Sequence, residues 1–413
     1  MNRQGHGPPR VTNGLDVLVV ERFARLKGRR VGAIANPTSV DHQMHHLADH
    51  LHQAVGVNLV ALFGPEHGVR ADAQDMIGVH SSRDSRTGVP VHSLYGADVA
   101  TLTPSPSQLD GVDCLVFDVQ DVGSRYYTFA TTMLYAMRAA ETRGLTFFVL
   151  DRPNPIGGEA IEGPILQPGF ESFIGPHPIP IRHGLTVGEL ALLYRDELRL
   201  DLDLQVVACQ GWTRSMCWSD TGLPWVLPSP NMSTPETALV YPGACLIEGT
   251  NLSEGRGTTR PFELWGAPWI DPHALAAQAL GELTRLGRDQ GMVLRPCSFR
   301  PMFHKHAGTL CQGVQPHVND PDRFRPVAVY TVLLALTRAQ APDQFAWRTE
   351  PYEFVRDPIA IDLLYGSSRE RELMESGSPC EDLFSLFDDA WACDEAAFRD
   401  RRAPYLLYNS TNP

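Results

Sequence analysis

Short apolar runs and segments of helical periodicity alternate along the first half of the chain. Apolar runs rich in β-branched residues predict strands, and apolar residues that recur every three or four positions predict helices. Strands that alternate with helices favour a mostly parallel sheet whose two faces are both covered. Thr186 and Glu189 have the spacing of a capping box, which marks the start of one helix. The predicted strands are 31–35, 57–63, 112–119, 146–150 and 204–208, and the predicted helices are 42–54, 129–142 and 186–198.

The pattern changes after the last of these strands. Residues 222–268 are rich in Pro, Gly, Asn, Ser and Thr and lack periodicity, which predicts a long loop of functional importance. Periodicity then returns and predicts two further helices and two further strands, over 271–286, 325–338, 293–299 and 313–318. We therefore expect an α/β protein with a large first domain over residues 1–270 and a smaller α/β domain over residues 271–413.

Four of the predicted strands end in a burst of polar, Gly and Pro residues. The carboxyl ends of parallel strands share one edge of a sheet, and ligands of open α/β folds bind beyond that edge. We therefore expect these bursts to converge on a single cleft. They occupy residues 36–38, 64–68, 118–125 and 151–155.

The composition and charge of the chain limit the kinds of molecule that it could bind and the places where it could act. The formal net charge is -13 and no cluster of Lys and Arg interrupts it, which argues against nucleic acid as a partner. No stretch approaches the ~18 consecutive apolar residues of a membrane-spanning helix, so we expect no integral membrane segment. The polar N-terminus lacks a secretory signal, which predicts a cytoplasmic protein as written, or an exported one if the start omits a leader. Eight cysteines stand singly, without a CxxC pair, and predict free thiols.

The burst Gly64-Pro65-Glu66-His67-Gly68 is the sharpest candidate for chemistry. Pro before the carboxyl group and Gly after the imidazole predict a rigid turn, where burial raises the pKa of a glutamate. A carboxyl group that stays protonated near neutral pH suits general acid catalysis at a glycosidic oxygen. The structural alternative is that Glu66 caps the next helix and His67 is a core imidazole.

Two further stretches concentrate polar side chains. The first places Asp118, Gln120, Arg125 and Tyr126 after a strand, where Arg125 could hold a ligand carboxylate and a tyrosine could stack on a sugar ring. Its alternative is an Asp121–Arg125 ion pair that holds the turn. The second is the Gly-rich stretch 248–263, whose alternative is a solvated loop. Its polar members include Glu248, Asn251, Glu254 and Arg256.

Common cofactor and hydrolase signatures are missing from the sequence. No GxGxxG follows a strand, which leaves a nucleotide cofactor unsupported, and no GxSxG or HExxH occurs. His42, His46 and His50 recur at helical spacing, but a solvated helix face explains them better than a zinc site. We therefore expect neither a cofactor nor a metal.

Six motifs in order resemble the exo-β-N-acetylmuramidase (NamZ) family of glycoside hydrolases. The resemblance continues through Lys305, 311–314 and 361–366, and so covers nearly the whole chain. It implies a Rossmann-like first domain with a smaller C-terminal one, and the release of N-acetylmuramic acid from the non-reducing ends of peptidoglycan fragments. The motifs are Asn36-Pro37-Thr38, 63–68, 87–96, 117–128, Asp151-Arg152-Pro153-Asn154-Pro155 and 248–259.

The resemblance places the family's proposed catalytic glutamate at Glu66. We expect this residue to protonate the leaving oxygen, while Asp118 or Glu248 activates water or polarises the acetamido group of the substrate. The lactyl carboxylate calls for a guanidinium among Arg125, Arg182, Arg256 and Arg260, of which Arg125 and Arg256 lie in motifs. The other predicted substrate contacts are Asn36, His67, Gln120, Tyr126, Asn154, Asn251 and Glu254.

Two other functions stay open at this point. A non-catalytic protein could bind cell-wall fragments in the same cleft, and a metal-dependent phosphoesterase could use Asp118, Asp121 and the histidines. The stretch Ala73-Gln74-Asp75-Met76 departs from the Gly-Glu type segment common in the family, which leaves the role of that stretch open.

Overall fold

Six parallel strands form the central sheet of the first half of the molecule. The computed structural model describes residues 11–70, 82–96, 98–376, 383 and 386–410. The parallel strands are β1 (Arg30–Ala35), β2 (Asn58–Gly64), β4 (Pro90–Ser93), β5 (Cys114–Asp118), β6 (Thr146–Leu150) and β9 (Leu204–Val207), and β3 (Ser82–Arg83) pairs antiparallel with β4 at one edge. Counted along the chain, the six parallel strands lie in the spatial order 3-2-1-4-5-6, which is that of Rossmann folds.

Both faces of this sheet are buried, as the apolar strand runs predict. In β5, Leu115 and Phe117 pack into the cluster that contains α3 (Phe129–Arg143) and α4 (Val187–Glu197). The alternate residues Cys114 and Val116 pack into a second cluster with α1 (Gly14–Val20) and α2 (Leu47–Gln53). Side chains of a strand point to opposite faces in turn, so a strand covered on both sides must be apolar throughout. The predicted α/β fold with a mostly parallel sheet is confirmed.

A smaller antiparallel sheet lies in the second half. Its order is β10 (Trp265–Ala267), β12 (Cys311–Val318), β11 (Met292–Phe299). β10 lies before the expected domain boundary at residue 270, although its partner β12 lies after that boundary. Two strands of the first half, β7 (Glu162–Ile165) and β8 (Pro180–Arg182), form a separate ribbon. The other helices are α5 (Trp218–Thr221), α6 (Pro235–Ala244), α7 (Pro272–Arg285), α8 (Pro326–Gln340), α9 (Ala360–Tyr365), α10 (Arg369–Glu375) and α11 (Ala392–Arg402).

Short helical turns complete the chain, and none of the described helices is both long and apolar enough to cross a membrane. The 3-10 turns are Ala24–Leu26, Val99–Leu102, Pro106–Leu109, Cys245–Gly249 and Ala403–Tyr405, and Leu386–Trp391 is a π-helix. The predicted capping box is present, because Thr186 Oγ1 accepts the Glu189 N–H and Glu189 accepts the Thr186 N–H.

Two predictions about local structure are wrong. The helix expected over 42–54 begins only at Leu47, because Asp41 Oδ1 accepts the N–H groups of Gln43 and His45 and so closes a turn. His46 caps that helix and is buried, so the expected solvated histidine face does not form. The loop expected over 222–268 contains α6, a 3-10 turn and β10, and Pro242 inside α6 conceals its periodicity.

The seven described cysteines are unpaired, and Cys393 is the exposed one among them. Cys380 and the departing stretch 73–76 lie outside the described residues.

Candidate active site

A cavity of about 240 Å³ lies between the carboxyl edge of the parallel sheet and the second half of the chain. Residues 66–67, which follow β2, line one side, and residues 126–129 line it at the start of α3. The second half contributes Glu248, Arg256 and residues 348–353. Both halves of the chain therefore build the cavity, and the strand-end turn that contains Glu66 faces the Gly-rich stretch 248–263 across it.

A tight turn presents Glu66 to this cavity. The Gly68 N–H donates to the Pro65 carbonyl at 3.0 Å, and His67 and Gly68 both have left-handed backbone, with φ of 72° and 80°. The turn folds back so closely that a Cβ on Gly64 would lie 3.1 Å from the Gly68 Cα and the Val69 nitrogen. Glycine at positions 64 and 68 therefore permits a chain reversal that would be strained with a side chain there.

The Glu66 carboxyl group is held at the cavity wall with partial solvent access. Its side chain is 15% exposed, the Thr128 hydroxyl lies 3.4 Å from Oε2, and His67 Nε2 lies 3.9 Å from Oε1. Burial raises the pKa of the neighbouring Tyr127 phenol, and the charges of Asp121 and Glu66 add to this rise. The alternative that Glu66 caps a following helix concerns residues 71–81, which lie outside the described residues.

Glu248 is the second carboxylate of the cavity. It lies in the 3-10 turn after α6, and only 6% of the residue is exposed. Oε1 accepts a hydrogen bond from Arg256 at 2.8 Å, and Oε2 accepts one from the Tyr352 hydroxyl at 2.7 Å. A carboxylate has about four lone-pair sites, so both oxygens of this oriented group can still accept from a ligand.

A buried ion cluster stands behind Arg256. Glu254 is fully buried, and its oxygens lie 3.0 Å from Lys305 Nζ, 3.0 Å from His304 Nδ1 and 3.7 Å from Arg256 Nε. Burial opposes ionisation of Glu254, but the positive charges of Lys305, His304 and Arg256 outweigh it and hold its pKa well below the usual value. Glu254 does not line the cavity, whereas its neighbours Arg256 and His304 do.

Aromatic rings form another part of the wall. Tyr126, Tyr127, Tyr241 and Phe262 line the cavity and pack edge to face, with ring centroids 4.9 to 5.7 Å apart. The Tyr126 hydroxyl donates to the Pro242 carbonyl, so this tyrosine offers a ligand its ring and not its hydroxyl. Such packed rings make a rigid, partly apolar surface.

Several predicted site residues lie below the cavity instead, in a buried polar layer at the sheet edge. Asp118 is fully buried and accepts a 2.6 Å hydrogen bond from Arg152 Nε, and burial raises its pKa although Arg152 opposes the rise. Asn36 accepts from Thr38, while the amide groups of Gln120 and Asn154 donate to the carbonyls of Pro153 and Leu185. The strand ends do converge, but Asp118 pairs with Arg152 and does not line the cavity that contains Glu66.

The predicted clamp Arg125 is also absent from the cavity, which corrects the expectation from the sequence. It is 2% exposed, and its guanidinium donates to the carbonyls of Pro164, Ile179, Leu364 and Tyr365 at 2.7 to 3.0 Å. Arg125 therefore joins the two halves of the chain.

Three other predicted residues are placed elsewhere as well. Asn251 holds the segment 344–346, because it donates to the Gln344 carbonyl and accepts the Ala346 N–H. Arg182 and Arg260 line other clefts. Of the four predicted guanidiniums, Arg256 alone lines the cavity.

The three histidines at helical spacing, His42, His46 and His50, do not form a cluster with Asp118 and Asp121. Within the described part of the chain, the group with the spacing of a cation site is Asp41, His45 and His50, and neither Asp118 nor Asp121 belongs to it. Asp41 Oδ2 lies 3.3 Å from His45 Nδ1 and 2.8 Å from His50 Nε2, so it contacts both imidazole rings directly. The phosphoesterase alternative therefore loses the arrangement on which it depended.

Residues 348–353 are one part of the site that the sequence analysis did not predict, together with Tyr241, Phe262 and His304. Arg348, Tyr352 and Glu353 line the cavity and come from a loop about 100 residues after Glu248. A signal was present, since Arg, Glu, Pro and Tyr stand together between two helices in the stretch 348–353. Charged and aromatic residues in a loop next to Pro are typical of binding segments.

Comparisons with known proteins show the family of the chain. The N-terminal model of the exo-β-N-acetylmuramidase NamZ matches residues 31–236, and the C-terminal model matches residues 239–408. The peptidoglycan β-N-acetylmuramidase NamZ of Bacillus subtilis (strain 168) is 46% identical over 97% of this chain and 92% of its own length.

Two solved structures of DUF1343 family proteins from Bacteroides fragilis NCTC 9343 are also similar. One has a TM-score of 0.85 and 38% identity, and the other has a TM-score of 0.74 and 30% identity. Each comparison covers 97% of this chain and 99% of the other. With both family models matched in order over most of its length, the chain belongs to the exo-β-N-acetylmuramidase NamZ family of glycoside hydrolases.

Proposed function

We propose that this protein hydrolyses the β-glycosidic bond of a terminal N-acetylmuramic acid residue at the non-reducing end of peptidoglycan fragments, with Glu66 as the general acid. The observation that carries the proposal is that Glu66 and Glu248 line one cavity whose wall also contains guanidinium and aromatic groups. The relative from Bacillus subtilis is a peptidoglycan β-N-acetylmuramidase, and its 46% identity over nearly the whole chain supports the same substrate here.

Glu66 suits the role of acid because of its place in the wall. Its turn is tight and its carboxyl group is mostly shielded from water, with the Thr128 hydroxyl 3.4 Å from Oε2 and His67 Nε2 3.9 Å from Oε1. Shielding from water favours the protonated form of a carboxyl group, which can then donate its proton to the leaving oxygen.

Glu248 suits the second carboxylate of the reaction. Positive charge develops at the anomeric carbon of a glycoside in the oxocarbenium-like transition state. A carboxylate whose orientation Arg256 and Tyr352 fix needs no reorganisation to stabilise that charge. We do not propose the third predicted carboxylate, Asp118, for this role, because it is buried against Arg152 and does not line the cavity.

The size of the cavity fits exo-action. Small-molecule sites usually enclose ~300 Å³ or more, and this one encloses about 240 Å³. A cavity of this size accommodates one sugar residue, which supports release of a single residue from a chain end.

Glu66→Gln tests the proposal. With a disaccharide of N-acetylmuramic acid and N-acetylglucosamine, loss of the acid should lower kcat by about 10²- to 10⁴-fold. A dinitrophenyl glycoside of N-acetylmuramic acid has a leaving group that needs little protonation, so we expect a much smaller loss with it. Glu236→Gln, an exposed change outside the cavity, is the matched control and should leave both rates unchanged.

Two results would contradict the proposal. Equal losses for the natural disaccharide and the dinitrophenyl glycoside would remove the acid role from Glu66. Binding of the disaccharide by the unaltered protein without any turnover would support the non-catalytic binding protein instead.

A further inference from the structure

We propose that the Arg348 guanidinium binds the lactyl carboxylate of N-acetylmuramic acid and so makes the cavity select this sugar over N-acetylglucosamine. The inference rests on the proposed function and adds the residue that sets specificity. It replaces the guanidiniums that the sequence motifs favour, Arg125 and Arg256, with one that stands outside those motifs.

The two guanidiniums of the cavity wall differ in how their charges are compensated. Among the described residues, the wall contains two guanidiniums, Arg256 and Arg348. Arg256 lies 2.8 Å from Glu248 and 3.7 Å from Glu254, so two carboxylates already compensate its charge. A substrate carboxylate would have to compete with both for that guanidinium.

Arg348 is placed differently. Its NH2 group donates to the Pro351 carbonyl at 3.1 Å, and no described carboxylate forms an ion pair with it. A guanidinium has five N–H donors, so most of its fork remains available for a planar, bidentate partner such as a carboxylate. Arg348 is therefore the guanidinium of the wall whose charge none of the described carboxylates compensates.

The guanidinium is also held in place before a ligand arrives. Arg348 lies 4.9 Å above the Tyr352 ring, and its backbone N–H donates to the Gly249 carbonyl at 2.9 Å. The ring and the two hydrogen bonds limit the freedom that a bound arginine would otherwise lose. Tyr352 also hydrogen-bonds Glu248, so the same loop positions the specificity group and the second carboxylate.

The need for such a cation follows from the surroundings. Glu248 and Glu353 line the cavity beside the general acid Glu66, and the protein has a net charge of -13. An anionic sugar enters this setting only if a local positive charge offsets the repulsion. A neutral sugar such as N-acetylglucosamine gains nothing from that charge, which is why one guanidinium can decide between the two.

The test compares three chromogenic β-glycosides: N-acetylmuramic acid, its lactyl methyl ester and N-acetylglucosamine. Arg348→Gln should raise KM for the acid about 10- to 100-fold with little change in kcat, because a hydrogen-bonded charge pair is lost. KM for the ester should barely move, so the preference for acid over ester should fall towards one. Arg348→Lys keeps the charge without the fork and should retain part of that preference.

Arg260→Gln is the matched control, since Arg260 pairs with Glu263 and lies outside the cavity. Equal effects of Arg348→Gln on acid and ester would overturn the inference, as would an unchanged preference. Free N-acetylmuramic acid and N-acetylglucosamine titrated calorimetrically into the unaltered protein and into Arg348→Gln test the same subsite without turnover. If the unaltered protein fails to cleave the N-acetylmuramic acid glycoside but binds this sugar through Arg348, the proposed function fails and the subsite stands. If it binds both sugars equally, the subsite is refuted.

Discussion

Replacing Arg125 with lysine separates a structural role from a role in binding. The guanidinium is buried and donates to four carbonyls, two in the first half of the chain and two, of Leu364 and Tyr365, in the second. Lysine keeps the charge but has three donors on a single nitrogen, so at least one of the four carbonyls must lose its hydrogen bond from this side chain.

The expected loss of stability follows from this count. A buried carbonyl without a partner costs ~1–3 kcal/mol, so Arg125→Lys should lower the free energy of unfolding by at least that amount. Arg125→Ala removes all four hydrogen bonds and leaves a cavity, and its cost should exceed ~4 kcal/mol, in the range of severe core changes. The KM for the N-acetylmuramic acid glycoside should stay unchanged in Arg125→Lys, because the side chain does not line the cavity.

Urea unfolding and steady-state kinetics on the same preparations check this prediction. Arg143→Lys is the matched control, since Arg143 pairs with Asp110 at the surface, where such pairs contribute ~0–1 kcal/mol. A raised KM with an unchanged unfolding midpoint in Arg125→Lys would refute the structural role and restore Arg125 as a substrate clamp.

Two other predictions concern the site and the pH dependence of stability. Tyr352→Phe removes the hydroxyl that donates to Glu248 at 2.7 Å and should lower kcat about tenfold, equal to ~1.4 kcal/mol. The melting temperature should stay unchanged, and a kcat equal to that of the unaltered protein would contradict the prediction. Burial raises the pKa of Asp121 from 3.8 to about 7 and that of Glu162 from 4.5 to about 7. These two groups keep protons in the folded protein that the unfolded chain releases, so their contribution to stability should fall as pH rises from about 4 to 7 and level off above that. Melting curves of the unaltered protein and of Asp121→Asn check the sign, because the stability of the variant relative to the unaltered protein should rise across this range.

Much of the fold follows from local patterns. Strands that are apolar on both faces, such as β5, can exist only in a sheet covered twice, and the capping residues of α4 mark its start in the sequence. The helix α6 does not follow from such patterns, because it contains Pro242 and lies in a segment rich in turn residues. Its stability comes from burial against the rest of the protein, which a local pattern does not report.

The sequence predicts a residue of the site only where a single local turn places that residue. Glu66 stands out because Pro and Gly beside it predict a rigid strand-end turn. Asp118 stands out equally, yet a strand-end carboxylate also suits a buried ion pair, and the distant Arg152 decides the outcome. Tyr352 reaches Glu248 across 104 positions of sequence, and nothing local to either residue predicts that contact.

The division of the cavity between the two halves ties catalysis to the intact molecule. Glu66 comes from the parallel sheet, while Glu248, Arg256 and Arg348 come from the second half, so neither half expressed alone would contain a working site. The hydrogen bonds of Arg125 resist separation of the halves, which makes a large opening for substrate entry costly. Heat inactivation should therefore coincide with global unfolding, and residual activity can report how much of a sample is fully folded.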